Sequence, residues 1–224
     1  MSIENNILEL GKNAKKASLE IKLCSNDQKN AALSSLMKNI SKNKDKILEA
    51  NNMDIENGKK KSLSKPLINR LTLSEKSIEG LIKSIEDIIT IPDPIGLTLE
   101  EWERPNGLKF RKISTPLGVL GVIYESRPNV TVDASCLSIK SGNSIILRGG
   151  SDSFHSSREL VSNITQSFNE AGLPNYCVQM IDTPEREAVD YLLKMKDYVD
   201  VIIPRGGKGL IEKINSSSKI PVIK

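Results

Sequence analysis

The chain has 224 residues, of which 38% are hydrophobic and 27% charged, and this predicts a globular protein with a substantial core. Its 32 basic and 28 acidic residues leave a net charge of only +4, and aromatic residues make up 4%, which argues against nucleic-acid binding through basic clusters and aromatic platforms. No apolar run approaches the roughly 18 residues needed to span a bilayer, so the sequence also argues against membrane insertion.

The first 95 residues are predicted to be helical. Apolar residues recur three or four positions apart over residues 3–24, which is the spacing of one helix face. Ser25 followed by Gln28 predicts a capping box that starts a second helix. Asn43 is expected to cap a third helix.

Further along this section, Thr72 with Glu75 predicts another capping box. The lysines at 59–61 are interpreted as a solvated loop rather than a binding patch. Pro92 and Pro94 are expected to end the helical section.

Over residues 96–113 the pattern of the sequence no longer has the spacing of a helix and becomes that of extended segments. Two extended segments, Leu97–Arg104 and Leu108–Ile113, flank Pro105-Asn106-Gly107, and Asn-Gly is a strong signal for a hairpin turn. Two interpretations stay open for this hairpin, a solvated edge and an oligomerisation arm.

From residue 114 strands and helices alternate. The predicted strands are Val119–Tyr124, Ser144–Leu147, Tyr176–Ile181, Val199–Ile203 and Ile220–Ile223. This alternation predicts an α/β fold with a parallel sheet covered by helices on both faces. The chain would then comprise a helical section (1–95), a hairpin (96–113) and an α/β core (114–224).

Polar loops follow three of these strands, and parallel-sheet proteins bind ligands at that edge of the sheet. Glu125–Asn129 follows the first strand, Arg148–Ser151 the second, and Pro204–Gly209 the fourth. Glycines allow close backbone approach, free N–H groups at a helix start attract phosphate, and the arginines add charge. Neither glycine loop matches GxGxxG or the Walker pattern. A dinucleotide or phosphate site is therefore the leading hypothesis, against plain glycine turns.

The three cysteines, Cys24, Cys136 and Cys177, lie far apart and form no CxxC. With a single histidine they cannot build a zinc site at ordinary spacing, so no metal is expected. Each is interpreted as a structural thiol. With Glu4 early in the sequence and no compact apolar segment beside it, no signal peptide is expected, and a reducing cytoplasmic setting is predicted.

Two blocks carry a family resemblance. IYESRPNVTVDASCLSIKSGNSIILRGGSDS (residues 123–153) and VDVIIPRGGKGLIEKINSSSKIPVI (residues 199–223) resemble the gamma-glutamyl phosphate reductases, a branch of the aldehyde dehydrogenase superfamily. The resemblance implies a Rossmann-type cofactor-binding domain. It also implies NADPH-dependent reduction of L-glutamyl 5-phosphate to L-glutamate 5-semialdehyde and phosphate, a step of L-proline biosynthesis.

The resemblance also implies roles for particular residues. The segment that contacts the adenosine ribose and its 2′-phosphate corresponds to Arg148, Gly149, Gly150 and Ser151. The segment near the cofactor pyrophosphate corresponds to Pro204, Arg205, Gly206, Gly207 and Lys208. Ser126, Arg127 and Asn129 fall near the substrate region.

In this family a cysteine thiolate displaces phosphate to give a thioester, which hydride from the nicotinamide reduces. That cysteine lies in a Pro-Ser-x-Cys-Asn block beyond the segment corresponding to Ile220–Ile223, whereas this chain ends at Lys224. We therefore expect the catalytic domain to be absent and the chain alone to be inactive.

The resemblance further implies a small-molecule substrate, homo-oligomerisation of the full-length enzyme and coupling to glutamate 5-kinase. Two alternatives stay open. One is another aldehyde dehydrogenase relative acting on a different acyl substrate. The other is a non-catalytic nucleotide-binding or oligomerisation module.

Overall fold

A computed structural model describes residues 2–224 and divides them into N-terminal helices, a hairpin and an α/β core. Helices α1 to α5 span Ile3–Ile21, Asn26–Lys42, Lys44–Lys60, Lys65–Leu71 and Glu75–Thr90. Strands β1 (Thr98–Glu103) and β2 (Lys109–Ile113) form the hairpin. The core follows as β3 (Val119–Tyr124), α6 (Asn129–Lys140), β4 (Ser144–Arg148), α7 (Phe154–Glu170), β5 (Val178–Met180), α8 (Glu187–Leu192), β6 (Val201–Arg205) and α9 (Lys208–Ser217).

The core sheet is parallel, with strand order β5-β4-β3-β6. The chain moves outward from β3 through β4 to β5 and then crosses back to place β6 on the other side of β3. Strand order therefore reverses between β3 and β6. Ligands of open parallel sheets bind at such a switch point, outside the carboxyl ends of the strands.

Both faces of this sheet are buried, as the alternation in the sequence predicts. Along β3, Leu120, Val122 and Tyr124 join the cluster that includes apolar residues of α2, α5, α6 and α7. Val119 and Ile123 point to the opposite side and join residues of α1, α8 and α9. Successive residues of a strand face opposite sides, so one short strand anchors both helical layers.

Helix starts were only partly predictable from side-chain spacing. The capping box of Ser25 and Gln28 is confirmed at the start of α2. The one predicted for Thr72 is wrong, because Thr72 follows α4 and its hydroxyl donates backwards to the carbonyl of Ile68 at 2.8 Å. Helix α5 starts instead with Ser74, whose hydroxyl accepts from the Ser77 N–H.

Asn43 is the residue before α3, but its side chain does not cap that helix. Its amide donates to the side chain of Asn163 on α7 at 2.7 Å, so it links two helices instead. The side chain therefore serves a tertiary contact that the local sequence did not predict.

Two further segment predictions are corrected. Helix α3 continues through Lys60, so the lysines at 59–61 are not a separate loop, and Lys61 lies 3.4 Å from the carboxylate of Asp152. The predicted strand Ile220–Ile223 forms only an isolated bridge, between Val222 and Ile202.

Two lysines are fully buried between the N-terminal helices and α6. The ammonium of Lys29 pairs with Asp93 at 2.6 Å and donates to the backbone carbonyl of Lys140. The ammonium of Lys140 donates to Asn26, Asn30 and the carbonyl of Ile89. These charged groups, satisfied by hydrogen bonds, hold α2 against α5 and α6.

The hairpin lies apart from both apolar clusters, and every residue of β1 and β2 is exposed. Trp102 and Phe110 stack across it with ring centroids 5.5 Å apart. Between residues 2 and 224, no helix is both long and apolar enough to cross a bilayer.

Candidate functional site

A cleft of about 460 Å³ opens at the carboxyl edge of the sheet, beside the switch point. The ends of β3 and β4 form its floor, and α8 and α9 form its walls. Its polar and charged lining residues are Glu125, Ser126, Arg148, Ser151, Asp152, Arg186 and Lys213. Its size is within the ordinary range for ligand pockets of about 300–1,000 Å³.

Arg148 ends β4 and is only 8% exposed, with its guanidinium at this cleft. The guanidinium donates to the backbone carbonyls of Gly149 and Pro184, the latter at 3.0 Å. Its Nε is buried without a hydrogen-bond partner among residues 2–224. Burial lowers the pKa of the guanidinium, yet an arginine keeps its charge at neutral pH. A buried cation held only by neutral carbonyls favours an anionic ligand.

The two glycines after Arg148 allow the β4 loop to pack tightly. A Cβ at Gly149 would come within 3.0 Å of the Tyr124 hydroxyl, and one at Gly150 within 3.1 Å of the Ser126 backbone nitrogen. Tyr124 is itself held by Thr131 at 2.7 Å. The loop therefore keeps its backbone close to β3, and this positions Ser151 at the cleft.

The sequence predicts free N–H groups at the start of α9, but in the structure one of them already has a partner. The N–H of Gly207 donates to the carboxylate of Glu125 at 3.1 Å. A Cβ at the neighbouring Gly206 would lie 2.7 Å from the Glu125 carboxyl carbon, so a larger residue there would displace the Glu125 side chain. A carboxylate thus occupies part of the position where the helix N-terminus attracts anions.

The residues predicted to bind ligands divide between two cavities. Arg148, Gly150, Ser151 and Ser126 line the cleft, and Gly149 packs behind it against Tyr124. The Ser126 hydroxyl donates to Asp152 at 3.3 Å, which ties the β3 loop to the β4 loop.

The second cavity has a volume of about 350 Å³ and lies on the other side of Glu125. It brings together Arg127, Arg205, Gly206 and Gly207. The structure therefore separates Arg205 from Arg148, although the sequence grouped both with the cofactor.

Besides Gly149, three predicted residues line neither cavity. Pro204 lies within β6, where a proline is tolerated because this strand is at the sheet edge. Lys208 is almost fully solvated beside Glu212, and the Asn129 amide donates to Asp133 one turn along α6. A direct role in ligand contact stays a prediction for all three.

The sequence did not single out Arg186 and Lys213, which add positive charge to the cleft. Arg186 comes after β5, immediately before α8, and Lys213 lies within α9. The sequence position of Arg186 could have indicated its role, because it follows a strand in the same parallel sheet as the glycine loops. Nothing in the sequence around Lys213 indicates such a role, because only the packing of α9 in the fold places this residue at the cleft.

The three cysteines lie away from both cavities. Burial raises the pKa of the Cys136 thiol and raises that of Cys177 to about 12. Cys24, whose thiol pKa is also raised by burial, follows α1, and Cys177 precedes β5 at the amino edge of the sheet. None of the three has the exposed, electropositive surroundings of a reactive cysteine.

Comparison with known proteins gives a consistent family assignment. A family model described as the aldehyde dehydrogenase family matches residues 3–223. A gamma-glutamyl phosphate reductase from Ruthia magnifica is 49% identical over 223 residues, which cover 100% of this chain and 53% of that protein. The chain thus spans about half the length of the curated relatives it matches.

Solved structures agree with this. The gamma-glutamyl phosphate reductase of Thermotoga maritima superposes with a TM-score of 0.95 at 35% identity, covering 97% of this chain and 53% of that one. The corresponding enzyme of Saccharomyces cerevisiae gives a TM-score of 0.90 at 34% identity, covering 97% of this chain and 55% of that one.

Proposed function

This chain belongs to the aldehyde dehydrogenase family, and from that premise we propose that its cleft binds NADPH. In this proposal the bound NADPH is used to reduce L-glutamyl 5-phosphate to L-glutamate 5-semialdehyde and phosphate, a step of L-proline biosynthesis. Members of the family use nicotinamide cofactors, and similar curated proteins are gamma-glutamyl phosphate reductases. The observation that carries the proposal is that Arg148 is buried at this cleft and has no carboxylate partner within residues 2–224.

The residues present fit such a cofactor. Arg148 would hold the 2′-phosphate of the adenosine ribose, and Ser151 beside it offers a small polar group. The two carboxylates that line the cleft are engaged elsewhere, Glu125 by the N–H of Gly207 and Asp152 by Ser126 and Lys61. Arg186 and Lys213 add positive charge along the same cleft. When bound, NADPH supplies the hydride for acyl reduction, while the chain binds and orients it.

The nucleophilic thiol of this reaction is not one of the three cysteines described above. Two of them are buried under helices or at the amino edge of the sheet, and Cys24 is also remote from the switch point. The role of residues 1–224 in our proposal is therefore to bind cofactor and substrate, with the thiol supplied by another part of the enzyme.

We accordingly predict that the isolated 224-residue chain does not catalyse the reduction. NADPH absorbance would be followed in the presence of L-glutamyl 5-phosphate generated in situ from glutamate and ATP by added glutamate 5-kinase, which is also present in the control. Because no thiol is placed to attack the acyl carbon, the rate should equal the protein-free control. A protein-dependent oxidation of NADPH would overturn this division of roles.

The exposed hairpin is proposed to act as an association arm. Its stacked and partly exposed Trp102 and Phe110 form an apolar surface that a second copy of the chain would cover. The cytoplasmic setting and the coupling to glutamate 5-kinase remain predictions from the family resemblance.

A further inference from the structure

The second cavity is lined by three arginines that come from three different parts of the chain. Arg70 lies in the last turn of α4, Arg127 in the loop after β3, and Arg205 at the end of β6. The register places Arg205 beside Tyr124, so the ends of β3 and β6 are adjacent here. A short helix in the N-terminal section thus contributes a charge to the carboxyl edge of the sheet.

None of these three guanidinium groups has an anionic partner in the part of the chain that the structure describes. The ion pair that an arginine does make within residues 2–224 is between Arg158 and Asp182, at 3.3 Å. Glu125, the carboxylate that lines the cavity, accepts from the N–H of Gly207 instead. Three guanidinium groups against one carboxylate leave the cavity with an excess of positive charge, which a bound dianion would offset.

The cavity adjoins the cofactor cleft across Glu125. Glu125 lines both, and the first residues of α9 lie between them, with Gly207 on one side and Gly209 on the other. A cofactor with its adenosine end at Arg148 would run past the start of α9 toward this second cavity. The arginine cavity is therefore where the reacting end of a substrate would meet the cofactor.

We propose that Arg70, Arg127 and Arg205 together bind the phosphoryl group of the acyl-phosphate substrate. This inference rests on the proposed function and adds to it the site of the dianionic end. Guanidinium groups form charge-assisted, bidentate contacts with phosphate oxygens, and three of them can serve its several acceptor oxygens. Arg205 is thereby assigned to the substrate rather than to the cofactor pyrophosphate.

The test uses the 224-residue chain and a stable phosphonate analogue of L-glutamyl 5-phosphate. Arginine Nε–H signals in ¹⁵N-resolved NMR spectra are assigned with Arg→Lys variants, and the analogue is then titrated. We expect the signals of Arg70, Arg127 and Arg205 to move and that of Arg148 to stay.

Arg70→Ala should raise the dissociation constant of the analogue about tenfold, which corresponds to the loss of one charge-assisted contact. The side chain of Arg70 is exposed and makes no hydrogen bond or ion pair within residues 2–224, so the fold should be unaffected. Arg104→Ala removes an exposed arginine from the hairpin and should leave the constant unchanged.

Two outcomes would overturn the assignment. One is an analogue that does not bind, or that binds Arg70→Ala as tightly as the unsubstituted chain. The other is movement of these three signals with NADPH instead of the analogue. Inorganic phosphate could bind with the same dissociation constant as the analogue, and its binding could be weakened equally by Arg70→Ala. That result would support the phosphoryl site. The glutamyl substrate of the proposed function would then be wrong.

Discussion

Replacing Arg148 with alanine is expected to weaken NADPH binding by about 1.5–3 kcal/mol, the usual worth of a hydrogen bond to a charged group. NADH binding should change much less, because NADH lacks the 2′-phosphate that this guanidinium is proposed to hold. The burial of Arg148 favours the upper part of that range, since a charge contact is stronger away from water. Fluorescence titration of both cofactors measures the difference directly.

The structure also shows why the comparison between cofactors is essential. Arg148 donates to the carbonyls of Gly149 and Pro184, so its removal loosens the cleft for any dinucleotide. Only the excess loss for NADPH reports on the 2′-phosphate. Arg158→Ala, which removes an exposed arginine of α7, serves as the matched control. Equal losses for NADPH and NADH would remove Arg148 from the 2′-phosphate site.

Replacing Asp54 with alanine is expected to lower the free energy of unfolding by about 3 kcal/mol, the combined effect of a lost cap and of buried charge-assisted hydrogen bonds. Asp54 is 2% exposed on α3, and its carboxylate accepts from the N–H groups of His155 and Ser156 at 3.1 and 2.7 Å. It also accepts from the Ser156 hydroxyl at 2.5 Å. One helix thus caps the start of another, α7, and Ala would leave these donors buried and unpaired.

Urea denaturation followed by circular dichroism measures this loss. Glu49→Ala, an exposed acidic residue on the same helix, should change the unfolding free energy by less than about 0.5 kcal/mol. Asp54→Asn keeps an acceptor oxygen, so its loss of unfolding free energy should lie between those of Asp54→Ala and Glu49→Ala. A loss for Asp54→Ala no larger than that for Glu49→Ala would show that the cap contributes nothing. Because α7 follows the loop of Ser151, we also expect weaker NADPH binding in Asp54→Ala.

Much of the α/β core could be predicted from the sequence because its signals are local. Val119–Tyr124 is an uninterrupted apolar run and forms β3 with the predicted bounds, buried on both faces. Ser144 starts β4 as predicted, and the strand runs one residue beyond the predicted end at Leu147. All six residues of β3 are apolar or small and all are buried, as is typical of a strand covered on both faces. The length and composition of this run are therefore enough to predict the strand.

The candidate site was less predictable because its residues are brought together by the fold. Arg70 lies on α4, a helix of 7 residues too short to give a clear apolar period, and nothing local connects it with the end of β3. Asp54 looks like any charged residue on a helix until α7 packs against it. The separation of Arg148 from Arg205 likewise depends on which side of Glu125 each strand end lies.

The central claim is that the switch-point cleft is the dinucleotide site, and filling that cleft tests it most directly. A Cβ at Gly209 would meet no atom within 4 Å, and this residue lines the cleft, so we expect Gly209→Trp to leave the fold intact and to obstruct the cleft with its ring. Gly80→Trp, at an equally open position on α5, is the matched control. In calorimetric titrations with NADPH we predict one binding site in the unsubstituted chain and in Gly80→Trp, and no binding in Gly209→Trp. NADPH binding of equal strength in all three proteins would contradict the claim.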